Sequence, residues 1–259
     1  MARLLASLLA VGLQVGGIAS AEDLTLRLPP VKTSINIGDQ PIAIMASGVI
    51  TGHPNSLQDT FRLLLTADLA DLQEHITAIL KAQLDSEDRC GERLSITSAT
   101  LLPPNTAVPP NTAVPANLAG ALTVNVHYER WLCVKALGRE VNRKLLGGDG
   151  VIPVDLTPSI EGSEVKLLAE VGTIEATGAL GEVLRAPPIR DRLRDKIGAS
   201  IQSALQGAAN LKTVVPPNIE RVATLVSARF ADAGSGRLAF ELAAEIRLSA
   251  AEIREMIGK

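Results

Sequence analysis

Gly120-Ala121-Leu122-Thr123-Val124-Asn125-Val126-His127-Tyr128-Glu129-Arg130-Trp131-Leu132-Cys133 decides the fold class. In an extended chain Leu122, Val124, Val126, Tyr128 and Leu132 share one face, and Thr123, Asn125, His127, Glu129, Trp131 and Cys133 share the other. An apolar face backed by a mixed one marks an antiparallel strand resting on a core. Upstream, Leu94, Ile96 and Ser98 alternate with Ser95 and Thr97, and Phe61, Leu63 and Leu65 alternate with Arg62 and Thr66. Between these two runs the period changes. Leu69, Leu72, Ile76 and Ile79 are three and four apart, one face of a helix. A single helix from a Ser56 cap through Leu84 is the competing reading of residues 57–84.

Downstream, Gly147-Gly148-Asp149-Gly150 reads as a turn before a strand from Val151 to Leu156, whose partner carries Val165, Leu167, Ala169 and Val171. Pro187-Pro188 opens a second helix with Ile189, Leu193, Ile197, Ile201 and Leu205 at four-residue spacing, and Pro216-Pro217 ends the segment after it. A last hairpin turns at Asp232-Ala233-Gly234-Ser235-Gly236 into a strand with Leu238, Phe240, Leu242, Ile246 and Leu248 on one face. Ser249 and Glu252 then form a capping box. Hairpins dominate and long crossovers are few, so the sheet is expected to be antiparallel and the class α+β.

Three short matches recur in the same order. Phe61-Arg62-Leu63-Leu64 resembles Val165-Lys166-Leu167-Leu168, Ser95–Leu101 resembles Thr224–Phe230, and Gly120–Val126 resembles Gly236–Leu242. The offset falls from 129 to 116 between the last two. The drop is nearly filled by twelve residues, Pro104-Asn105-Thr106-Ala107-Val108-Pro109 and its immediate repeat Pro110 to Pro115. The pattern predicts a duplicated strand-strand-helix-strand-strand unit, 22–140 with a proline-rich loop at 103–116 and then 141–259, in one compact domain.

Met1-Ala2-Arg3, an apolar run from Leu4 to Ile18 and Ala19-Ser20-Ala21 have the layout of a secretory signal peptide over residues 1–21. The run is shorter than the roughly 18 residues a membrane anchor needs. Cleavage would shift the net charge from −3 to −4, since only Arg3 is lost. A bacterial periplasm is the expected compartment, from the Ala, Leu and Arg bias, and the extracellular space is the alternative. In either place the pair Cys90 and Cys133 is expected to form a disulfide closing a loop of about 44 residues, instead of remaining two free thiols.

The acidic balance argues against a nucleic-acid partner. So do five aromatics, Phe61, Tyr128, Trp131, Phe230 and Phe240, too few for base-stacking platforms. His53, His75 and His127 fall on different elements, and no zinc spacing, nucleophile elbow or phosphate loop accompanies them. No cofactor, metal or catalytic residue is therefore expected. What the chain supplies is aliphatic surface on two helices and the strands. It reads either as an ordinary core or as the wall of a cavity for an apolar ligand, lined by Leu69, Leu72, Ile76, Ile79, Leu193, Ile197, Ile201, Phe240 and Leu242. The second helix carries Arg185, Arg190, Arg192, Arg194 and Lys196 against Asp191 and Asp195. That is either a solvated face or a surface for transient contact with lipid headgroups, with Arg190 and Arg194 as the contacts.

Over residues 58–249 this order of elements resembles the tubular lipid-binding superfamily, whose relatives include the bactericidal/permeability-increasing protein. The resemblance implies strongly curved antiparallel sheets packed on two amphipathic helices around an apolar tunnel. It also implies an exported carrier or binder of a lipid. A structural or protein-interaction module of the cell envelope, with a solid core, is the alternative.

Overall fold

The computed structural model describes residues 24–37, 40–52, 60–85, 90–104, 119–136, 139–162, 164–205 and 223–247. The expected signal peptide, most of the proline-rich loop, His53, Pro216-Pro217 and the Ser249 capping box lie outside them. Residues 24–52, where the sequence pattern specifies no element, form a long antiparallel hairpin of Leu24–Ile37 (β1) and Gln40–Gly52 (β2). Ile35, Ile37, Ile42, Ile44, Ala46, Gly48 and Ile50 are its buried positions, an even number of residues apart along each strand. The register slips between Leu28 and Val31, at Pro29-Pro30, which have no N–H to give the ladder.

Within 57–84, the described residues resolve as strand then helix: Thr60–Asp68 (β3) and Ala70–Leu84 (α1). Gly91–Leu102 (β4) and Gly120–Ala136 (β5) pair as the alternation requires. Arg139–Glu161 (β6) then runs unbroken through Gly147-Gly148-Asp149-Gly150, which corrects the turn expected there. Those glycines serve close approach. A Cβ on Gly148 would sit 2.5 Å from the Thr177 carbonyl oxygen and 2.9 Å from Leu180 Cβ. Glu164–Val171 (β7), the short Glu175–Ala176 (β8), Gly178–Val183 (α2) and Pro187–Leu205 (α3) come next. Ala223–Asp232 (β9) and Leu238–Arg247 (β10) form the last hairpin, with positive φ at Gly234, Ser235 and Gly236 in its turn.

Every pairing among the described residues is antiparallel, in two sheets. The first has strand order β1-β2-β3-β10-β9, and the second β4-β5-β6-β7 with β8 on β6. Each long helix connects the sheets: α1 leads from β3 to β4, and α3 from β7 to β9. The matched segments fall on β4 and β9, and both strands bulge at the same aligned place, Thr97 and Val226. The neighbours of the two hairpins differ, since β5 joins β6 whereas β10 joins β3.

Helix α1 buries Leu72, Ile76, Ile79 and Leu80, and its polar side chains reach both sheets. Gln73 Nε2 donates to Leu101 O on β4 at 2.8 Å and to Gly236 O at 3.1 Å, while Gln73 Oε1 accepts from Leu238 N on β10 at 2.7 Å. Thr77 Oγ1 donates to Ala99 O and accepts from Ala99 N, and Asp85 Oδ1 accepts from Ile96 N. These contacts satisfy the edge of β4 that no described strand covers. Gln73→Ala should therefore cost about 1–3 kcal/mol, because it strands a part-buried backbone N–H and two carbonyls. Urea denaturation would measure it, and a loss no larger than that of Gln83→Ala, on an exposed position of the same helix, would show that Gln73 is not a joint.

Candidate functional site

Eight of the nine residues expected to line a cavity are buried: Leu69, Leu72, Ile76, Ile79, Ile197, Ile201, Phe240 and Leu242. Leu193 is partly buried against them. The structure brings all nine into one aliphatic layer between the helices and the two sheets. Ile76 and Ile201 have 0% exposure, so neither borders a void that admits a water molecule. Around these two, among the described residues, the layer is closed, with side chains in contact as in ordinary interiors.

Its exposed margin runs along α3 and β7. There an open groove of about 360 Å³ is lined by Ala169, Glu170, Val171, Arg194, Asp195, Gly198, Ala199 and Gln202. A Cβ on Gly198 would lie 3.2 Å from Val171 Cγ2, so the helix rides close on the strand. Arg194 does not simply extend into solvent. Its Nε donates to Val171 O at 2.6 Å and clamps α3 to β7. Arg190 lies outside this seam, with Nε 3.2 Å from Asp191 Oδ1.

Cys90 and Cys133 are joined, with Cα atoms 5.6 Å apart, and tie the start of β4 to β5. Chain-entropy arithmetic puts such a loop at about 4 kcal/mol.

A polar cluster occupies the opposite face of the second sheet. His127 Nδ1 is 2.7 Å from Asp149 Oδ1, and His127 Nε2 is 3.3 Å from Glu129 Oε1. Lys144 Nζ donates to Glu129 Oε1 at 2.6 Å and Trp131 Nε1 donates to Glu129 Oε2 at 2.9 Å. The Lys144 and Trp131 hydrogen bonds hold the Glu129 carboxyl down at about 2. The Asp149 hydrogen bond, opposed by partial burial and helped by Glu129, raises His127 above 6.5. Strand alternation places His127 and Glu129 together but does not reveal their partners from β6. Asp71, Glu74 and His75 also gather on one turn of α1. There Asp71 Oδ2 accepts from Ala43 N at 2.6 Å, which makes it a helix-to-strand clamp.

The chain matches no family model, no curated protein and no solved structure. The likeness to tubular lipid-binding proteins thus rests on the order of elements.

The two shifted groups give opposite pH signs. Glu129, depressed, adds stability that is full above its ordinary 4.5 and lost as pH falls toward 2. His127, raised, adds stability present below 6.5 and lost as pH rises through its folded value. Both contribute in full between about 4.5 and 6.5, and for a surface cluster the sum is about 1 kcal/mol or less. NMR titration should find the His127 ring above 6.5, falling back in Asp149→Asn. A ring that titrates identically in the variant would remove Asp149 as the cause.

Proposed function

We propose that this chain is an exported protein that binds a lipid or other apolar ligand in the aliphatic layer beneath α3. The observation that carries the reading is the chemistry of that layer. Among the described residues no polar or charged side chain is buried, and the rings within it, Phe230 and Phe240, pack on each other with centroids 5.6 Å apart. Walls of this kind favour an acyl chain over any ligand that needs hydrogen bonds. Because the layer is closed at rest, the ligand enters as α3 lifts from β7 along the groove, and Arg194 exchanges the Val171 carbonyl for an anionic headgroup. The expected leader peptide, together with the disulfide, supports an exported setting, with the periplasm as the compartment. The bulges shared by Thr97 and Val226 support a duplicated unit, and the order of elements supports curved sheets of the tubular kind.

A second reading is favoured by the complete burial of Ile76 and Ile201: a cell-envelope module with a solid core that works through its surface. Thermal melting with and without added fatty acid or phospholipid separates the two. Ligand at 100 times its Kd would stabilise the protein by about 2.7 kcal/mol, and mass spectrometry of organic extracts of the natively purified protein would identify it. Gly198→Cys with Val171→Cys, oxidised to pin α3 on β7, should abolish the lipid-dependent shift without unfolding the chain. No shift in the wild type means the layer is only a core.

A further inference from the structure

Strands β5 and β6 outrun the rest of their sheet. The pairing of β4 with β5 begins at Gly91 opposite Trp131, and β8 pairs only with Gly150 and Val151. From Trp131 opposite Lys144 to Ala136 opposite Arg139, the two strands form a ribbon that, beyond Gly91, has no third described strand beside it. The disulfide at Cys133 fixes its base to the start of β4.

The core-facing side of β5 is covered as far as Tyr128, which packs with Leu180 and Leu184. Beyond that cover the same side continues with Leu132 and Val134, and Val141 of β6 lies directly opposite Val134. Leu132, Val134 and Val141 are 47%, 48% and 56% exposed. The core face has therefore run out from under its cover while keeping an apolar sequence. Arg143 lies opposite Leu132, on the same side, and Arg130 precedes the strip. By sequence, residues 129–146 hold Arg130, Lys135, Arg139, Arg143 and Lys144 against Glu129, the partner of Lys144, and Glu140, a net +3 in a chain of net −3.

We propose that this ribbon docks on the surface of an anionic phospholipid bilayer, with Leu132, Val134 and Val141 at the headgroup–acyl boundary and Arg130 and Arg143 on phosphates. An aliphatic strip set among cations requires an occupant that is apolar and negatively charged together, as such a surface is. A second copy of the chain fits poorly, since stacking two ribbons would oppose two patches of net +3. The remainder of this chain is acidic, so the field draws the ribbon end toward the membrane first. The inference is independent of an apolar ligand beneath α3 and stands or falls separately.

The test is flotation of the mature protein with vesicles of phosphatidylglycerol and phosphatidylcholine in equal parts, and with phosphatidylcholine alone. The protein should float with the anionic vesicles only, and less as salt is raised. Val134→Asp with Val141→Asp, and separately Arg143→Glu, should weaken partitioning about tenfold or more. These positions are exposed, so the melting temperature should hold. Val226→Asp, on an exposed residue of the other sheet, should bind as wild type does. The proposal is overturned if wild type fails to float with the anionic vesicles, or if the ribbon variants float unchanged. Sedimentation that shows a dimer dissociated by the ribbon variants would also overturn it, and would assign the strip to a second copy.

Discussion

Two sheets with no shared strand must be held in a fixed relation, and the Gln73 side chain is where that relation is most sharply specified. Its amide nitrogen serves β4 of one sheet while its amide oxygen serves β10 of the other. Neither bond forms unless α1 lies at one depth and one rotation. That rotation is also the one that turns Leu72, Ile76, Ile79 and Leu80 inward. Burial supplies most of the free energy and is non-directional, so the polar contacts decide which of several helix placements is adopted. Asp71 on the β2 side and Thr77 and Asp85 on the β4 side narrow the choice further.

The second long helix is held differently. α3 buries Ile197, Ile201, Ala204 and Leu205, but its described polar link to a strand is the Arg194 contact with the Val171 carbonyl. Its opposite side is charged, and a groove runs along its seam with β7. The interior is thus fixed on the α1 side and less firmly closed on the α3 side. This asymmetry separates two helices that resemble each other closely as hydrophobic patterns.

Much of this is legible in the residues. The alternation from Leu122 to Tyr128, the change of period at Leu69 and the glycine turn after Asp232 each state a local backbone preference, and each is present in the fold. The glycines at 147–150 mislead because glycine marks both a turn and a place where another chain segment comes close, and the segment concerned, Thr177–Leu180, is distant in sequence. The same ambiguity hides the partners of His127 and Glu129. Asp149 and Lys144 come from β6, and their positions depend on a register that shifts at Leu145. Helical spacing likewise names the side of α1 and α3 that avoids water. It does not distinguish side chains from a ligand as the matter that side faces.

The strand order carries a consequence for how the chain is made. β3 is completed on one side by β10, and Asp68 meets Arg237 across 169 positions. A chain synthesised from its N-terminus presents β1, β2 and β3 long before the hairpin that covers the open side of β3. Until then Leu63 and Phe61 face water, and the backbone of β3 is an exposed template for other strands. Assembly is therefore gated by the arrival of the last hairpin, and the interval before it is when the chain is most open to pairing with other chains.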